Sequence, residues 1–362
     1  MKKLKKWIGI GLVVLCLCLF TGCSFGSTTQ TPNKIEQEPT IVEIQNEISE
    51  VYKKISKGCV GIYATSSTVG STGSGVVYKN VNGLYYVVTN YHVIEDMNTV
   101  RIYRGGSRYL KASVVGFDKK NDIAVLTFSL DLFGGDEVYI NDIFSYDEEI
   151  VSVGQTVLAI GCPLGLENFN TLTTGVVSRI TKSQIQTNAE INPGNSGGGL
   201  FNVSGRLIGI NTQKEVYTQS NENGVVMDIP VEGLGYAISL KVVKKCIQDI
   251  EAKKGEVSRP LLGLQVVAVN RYVHSSEIEN LVELLPNTLD QGIVITKVDS
   301  GSTGSIAGLK MNDIIIKAND TEIESLLDLS SIMDLVVIGD ELHLEVYRSS
   351  EKQTRTFDII LK

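Results

Sequence analysis

The sequence predicts a mostly β chain with two folded parts, a long β-rich body and a shorter α+β module, behind an N-terminal address segment. Three observations predict it. Glycine is abundant at 35 and proline scarce at 7 among 362 residues, with Val and Ile frequent and one Trp. That mix suits strands and tight turns. From Gly58 to about Ser239, short β-like runs alternate with Gly, Asn and Asp turns, the pattern of an all-β barrel or sandwich. After Pro260 the order reads strand, strand, short helix, strand, helix, strand, strand. At 43% hydrophobic and 20% charged the chain can bury a core. At about 150 residues per domain, the length predicts two domains.

Charge and cysteine usage exclude several classes. The net charge is −8, with no basic cluster outside the first residues, which argues against nucleic acid as a partner. Six Cys without CxxC or HxxxH spacing argue against a zinc module and a disulfide-dense scaffold. His274 and His343 have no His or Cys at ligand spacing, so no metal and no cofactor are expected.

The elements follow in order. Lys2, Lys3, Lys5 and Lys6 precede an apolar run, Trp7 to Phe20, and then Thr21-Gly22-Cys23. As a helix the run spans roughly 21 Å, short of the roughly 30 Å hydrocarbon core. It reads as an export signal. Its Thr-Gly-Cys ending resembles a bacterial lipoprotein signal, although Phe20 stands where Leu is usual. The resemblance implies that residues 1–22 are removed and that Cys23 carries the lipid. An uncleaved anchor with Cys23 as an ordinary thiol is the alternative. Either way the body is expected on the extracytoplasmic face of the cell membrane. Residues 23–40 read as a flexible tether. Ile41, Ile44, Ile48, Val51, Tyr52 and Ile55 fall at helical spacing, which predicts a lead-in helix. Predicted strands include those around Val60, Val77, Val87, Val100, Val125, Leu158 and Ile208. The stretch from Val216 to Met227 reads as a polar loop. Lys241 to Lys253 predicts a connecting helix with Val242, Val243, Cys246, Ile247 and Ile250 on one face. Cys59, Cys162 and Cys246 lie beside apolar runs and read as small buried hydrophobes; a single disulfide stays open.

Three segments carry chemistry. A strand runs into Asn90-Tyr91-His92; Asp122 opens the apolar run Ile123 to Leu126; and Asn192-Pro193-Gly194-Asn195-Ser196-Gly197-Gly198-Gly199 is a glycine-rich turn. A Ser hydroxyl needs a base to take its proton, and the base needs a carboxylate to orient it. The tetrahedral intermediate needs N–H donors aimed at its oxyanion. Gly194 can take backbone angles closed to other residues and set its N–H beside that of Ser196. The order His, Asp, Ser is that of the chymotrypsin architecture.

With the segments Gly73-Ser74-Gly75, Gly154 to Gly161, Pro163-Leu164-Gly165, Thr174 to Ser178 and Gly235 to Ile238, the chain resembles the HtrA/Deg family of trypsin-like serine proteases over roughly residues 45–362. The resemblance implies a chymotrypsin-like double β-barrel over residues 41–255, with lead-in and connecting helices. It implies Ser196 as nucleophile, His92 as base and then acid, Asp122 as orienting carboxylate, and the N–H groups of Gly194 and Ser196 as the oxyanion hole. Asn195 cannot form the ion pair by which activatable relatives respond to N-terminal cleavage. Asn188, Cys162 and Gly199 depart from the family's usual residues. Ile191, Gln213 and Lys214 are the S1-pocket candidates, with medium aliphatic P1 residues expected. Conditional activity through the loops around Gly161–Thr171, Glu190–Asn195 and Val216–Met227 is also implied.

Residues 259–362 resemble a PDZ domain: Arg259-Pro260-Leu261-Leu262-Gly263-Leu264 resembles its carboxylate-binding loop, with the donors implied at Leu262, Gly263 and Leu264, and the groove helix is implied at about Glu324 to Val337. Such a module adds a peptide's C-terminus to an open strand edge. Arg271 to Pro286 reads as an inserted helix. The resemblance therefore implies a lipid-anchored homotrimeric serine endopeptidase acting on misfolded or damaged proteins, with C-terminal peptides bound at the PDZ domain. Two other readings stay open: a PDZ-based chaperone or sensor with a silent protease, and a narrow regulatory protease.

Overall fold

The computed structural model describes residues 41–269 and 291–362, except 107, 131–136, 148–150, 213–215, 221–225 and 231–232. The signal, Cys23, the tether, Gln213, Lys214 and Arg271 to Pro286 thus lie outside the described residues. Helix α1 (Ile41–Ile55) opens the body as its spacing predicts. Ile48, Val51, Tyr52 and Ile55 pack against the largest apolar core. The first barrel is built from β1 (Cys59–Thr65), β2 (Gly70–Val81), β3 (Leu84–Thr89), β4 (Thr99–Tyr103), β5 (Tyr109–Asp118) and β6 (Ile123–Ser129). The sheet runs β5-β4-β1-β2-β3-β6, and β5 also pairs with β6, which closes the ring.

The second barrel contains β7 (Thr156–Gly161), β8 (Thr171–Ile180), β9 (Gln184–Thr187), β10 (Gly199–Asn202), β11 (Leu207–Thr212) and, after a hairpin, β14 (Gly235–Ser239). It closes in the order β10-β11-β14-β9-β8-β7. The hairpin corrects the loop expected over Val216 to Met227. β12 (Val216–Ser220) pairs antiparallel with β13 (Val226–Pro230). Val216, Tyr217 and Thr218 and the run Val226 to Ile229 carry β propensity that the polar tip between them disguised.

Helix α2 (Leu240–Lys253) buries Val242, Val243, Cys246, Ile247 and Ile250. Each such aliphatic side chain contributes about 1.5–3 kcal/mol by leaving water. The helix ends where Lys254 takes a left-handed φ of 54° and donates its N–H to Ile250 O. β15 (Glu256–Val257) then pairs parallel with β5.

The C-terminal module has its own core, which includes Ile293, Ile295, Ile315, Leu342, Leu344 and Val346. Its sheet runs β16 (Leu264–Ala268), β17 (Ile293–Val298), β18 (Asp313–Ala318), β20 (Glu341–Arg348), β21 (Gln353–Ile360), with β19 (Thr321–Glu322) on β18. A short helix, Thr303–Ala307, and a groove helix, Leu326–Met333, complete it. A capping box between Ser325 and Asp328 starts the groove helix.

Val42–Lys362 forms one compact unit. Leu335 and Val337 pack into the protease-side core. The Arg259 side chain is fully buried; its Nε donates to Asp118 Oδ2 at 2.7 Å, and its Nη2 forms an ion pair with Asp249 Oδ2 at 2.9 Å. It also donates to Val336 O at 3.0 Å. Asn121 Nδ2 reaches Asp118 Oδ2 and Asp334 O, at 3.0 and 2.9 Å. Sequence reading placed Arg259 at the head of the carboxylate loop; the structure turns it inward to Asp118.

Candidate active site

Strand register brings His92 to Asp122. Thr89, the last residue of β3, pairs with Ala124 of β6, so the chain leaving one strand passes the turn entering the other. Tyr91 N–H donates to Asp122 O at 3.2 Å, and Asn90 Nδ2 to the same oxygen at 2.9 Å. The Asp122 carboxylate then accepts three bonds. His92 N–H donates to Oδ1 at 2.9 Å, the His92 ring at Nδ1 to Oδ2 at 2.8 Å, and Thr212 Oγ1 to Oδ2 at 3.1 Å. A carboxylate held in this way fixes which imidazole nitrogen carries the proton and leaves Nε2 free to accept one. Asp122 adopts φ 52°, and Asp118 holds the turn before it by accepting from Asn121 N at 3.0 Å.

Ser196 enters from the second barrel, on the turn before β10. Asn195 N donates to Asn192 O, Gly198 N to Asn195 O, and Gly197 N to Asn211 O, each at 2.9 Å. Ser74 of β2 docks the turn on the first barrel. Its N–H donates to Ser196 O at 2.8 Å and its hydroxyl to Gly194 O at 2.7 Å, while Cys162 N donates to that hydroxyl at 2.9 Å. Gly194 has φ +97°, and a Cβ there would lie 2.1 Å from Cys162 O. Pro193 O accepts from Leu164 N at 2.6 Å. Because a trans peptide sets C=O and N–H on opposite sides, the Gly194 N–H points away from the 162–165 loop. Leu164 itself takes φ 63°.

Ser196 is 6% exposed. Among the described residues no hydrogen bond joins it to His92; such contacts often close only when substrate binds. Ile191 is 2% exposed in the second barrel's core, and a Cβ on Gly235 would lie 2.6 Å from its Cγ1. Asn195 Nδ2 donates to Glu190 O at 3.2 Å, and Asn188 Oδ1 accepts Val176 N at 2.7 Å. Cys59, Cys162 and Cys246 are free and buried. Burial raises all three thiols, Cys59 and Cys246 well above the usual range, and Asp118 raises Cys246 further. Sequence reasoning missed Thr212, Asn90 and the bridging role of Ser74. Only Ser74 left a signal, as the middle of Gly73-Ser74-Gly75.

Beyond the barrels, the groove between β16 and the groove helix is lined by Leu262, Leu264, Val266, Leu329 and Met333. Gly263 O and Leu262 O accept from Asp299 N and Gly304 N, both at 2.9 Å, which fixes the loop at the groove's end.

An Asp–His pair on one six-stranded barrel and a glycine-framed serine turn on the other belong to a trypsin-like serine endopeptidase, here joined to a PDZ domain. Residues 73–210 match the trypsin-like peptidase domain and residues 260–361 the PDZ domain. The chain belongs to the HtrA family. It is 34% identical over 355 residues to the serine protease Do-like HtrA of Lactococcus lactis subsp. lactis (strain IL1403), covering 86% of this chain and 82% of that one. The corresponding HtrA of Bacillus subtilis (strain 168) is 31% identical over 345 residues, with 86% and 72% covered. Among solved structures, the HtrA-type protease AlgW with a tripeptide aligns with TM-score 0.64 at 26% identity, over 87% of this chain and 97% of that one. The serine endoprotease from Yersinia pestis aligns with TM-score 0.60 at 25% identity, over 90% and 99%.

Proposed function

We propose that Ser196, His92 and Asp122 cut peptide bonds of misfolded or damaged proteins outside the cytoplasm, from a lipid anchor at Cys23. The observation that carries the catalytic assignment is the bonded chain from Thr212 through Asp122 to His92 Nδ1. His92 Nε2 takes the Ser196 proton as Oγ attacks the scissile carbonyl. Asp122 stabilises the imidazolium, and His92 then gives the proton to the leaving amine. The Gly194 and Ser196 N–H groups receive the oxyanion. The test is labelling with a fluorophosphonate. Incorporation at Ser196 that is lost in His92→Ala supports the assignment; His92-independent labelling refutes it. Degradation of unfolded casein by wild type and not by Ser196→Ala separates the protease from a silent sensor. Comparing several unrelated unfolded proteins separates broad from narrow specificity.

The anchor reading rests on the Thr21-Gly22-Cys23 ending. Labelled palmitate should join the wild type and not Cys23→Ser; no label on the wild type refutes it. A homotrimer is the assembly we propose for the protease domain. An aromatic cluster supports it: Tyr103 lies 5.2 Å from Tyr109 and 5.3 Å from Phe169, ring to ring. Tyr109, at the edge of that cluster, is 46% exposed. Sedimentation at the monomer mass would refute the trimer.

A further inference from the structure

The PDZ groove is a cavity of about 480 Å³ whose side walls are apolar. A peptide's free C-terminus brings a full negative charge to it. The loop offers backbone donors: among the described residues, the N–H groups of Leu261, Leu262 and Gly263 donate to no other backbone group. A carboxylate leaving water also needs a counter-charge. The cation nearest the loop in sequence, Arg259, is already engaged. Its side chain is 0% exposed and bound to Asp118 and Asp249. Asp299, which lines the groove, has the wrong sign and pairs with Lys297 at 2.8 Å.

Among the described lining residues the one cation is Lys120, and it comes from the protease. It lies in the turn between β5 and β6, two residues before Asp122. Its side chain is 31% exposed, and Nζ is 3.2 Å from Asp334 Oδ1. Asp334 directly follows the groove helix. Two residues on, Val336 O accepts from Arg259, at the head of the loop. The ammonium therefore sits at the loop end of the groove. A peptide pairing antiparallel with β16 places its terminus at that end. An ammonium has three donors, so one can stay on Asp334 while another reaches a new carboxylate.

We infer that Lys120 is a ligand-binding residue of the PDZ groove, supplying the counter-charge for the terminal carboxylate of a bound peptide. The inference rests on the reading that this groove takes free C-termini. The binding unit is then composite: apolar walls and amides from the PDZ domain, the charge from the turn that carries the catalytic aspartate.

The test uses the full chain in detergent with Ser196→Ala, so that the probe is not cut. Dye-labelled decapeptides ending in Leu, Val or Phe are titrated by fluorescence anisotropy, each as free acid and as C-terminal amide. The parent is expected to prefer the acid. Lys120→Gln should weaken the acid about tenfold, or about 1.4 kcal/mol, and leave the amide unchanged. Lys120→Arg should restore most of the preference. Equal weakening of acid and amide by Lys120→Gln, or no weakening of either, overturns the inference. A parent that binds acid and amide alike overturns the C-terminus reading itself, and the inference with it.

Discussion

Replacing Gly194 with Ala should silence the enzyme while leaving it folded. The added Cβ would stand 2.1 Å from Cys162 O, at a backbone φ of +97°. An ordinary contact is about 3.4 Å or more, so turn and loop must separate by more than 1 Å. The left-handed angle adds about 1–2 kcal/mol for any residue with a Cβ. Relief lies in rotating the Pro193–Gly194 peptide, which breaks the Leu164 N–H bond to Pro193 O and swings the Gly194 N–H out of line. Loss of one such donor costs about 10²–10³ in kcat, or about 2.7–4 kcal/mol. The assay is kcat and KM on a fluorogenic peptide, beside thermal unfolding by circular dichroism. Gly154 supplies the control. It has φ +88° with nothing within 4 Å of an added Cβ, so Gly154→Ala carries backbone strain without the clash. A Gly194→Ala enzyme within tenfold of wild type would refute the reasoning. So would equal losses in both variants.

Arg259→Met should destabilise the fold by about 3–5 kcal/mol, because Asp118 is left as an uncompensated buried charge. Asp118→Asn added to it should recover part of that, and simple additivity in a denaturation cycle would contradict the pairing. Thr212→Val removes the hydroxyl from Asp122 Oδ2 and should lower kcat about tenfold at unchanged KM, since a bond to a charged group contributes about 1.5–3 kcal/mol; unchanged kcat would count against it. Iodoacetamide at pH 8 should leave Cys59, Cys162 and Cys246 unmodified in the native protein, because burial raises each thiol and keeps it protonated there. Peptide mapping should find them alkylated only after unfolding; rapid native labelling would refute their burial.

Patterns confined to one element were readable in the sequence. The apolar stripes of α1 and α2 needed only helical period, and the strands announced themselves by Val and Ile between glycine turns. His92, Asp122 and Ser196 were legible because their residue types and order are distinctive. Thr212 was not, since nothing local separates a Thr at a strand end from any other. Its meaning comes from β11 lying where its hydroxyl meets Asp122 across the barrels. Arg259 was misplaced for a similar reason. Beside Pro260 it reads as part of the loop, and only packing shows that its guanidinium goes to Asp118. The hairpin Val216–Pro230 was hidden by the polar residues at its tip, which dominate composition over so short a span.

The turn from Asp118 to Asp122 has a consequence for anyone recombining this protein. It is chemically part of the peptidase but fitted to the C-terminal module, through Asp118 to Arg259 and through Asn121 and Lys120 to Asp334. A chimera that exchanges the PDZ domain at the Arg259-Pro260 seam would leave half of this fitting behind. Donor segments should therefore travel in two pieces, the module and the residues matching 118–121, even though more than a hundred positions separate them in sequence. The natural unit of exchange in this chain is a surface, and it does not coincide with a stretch of sequence.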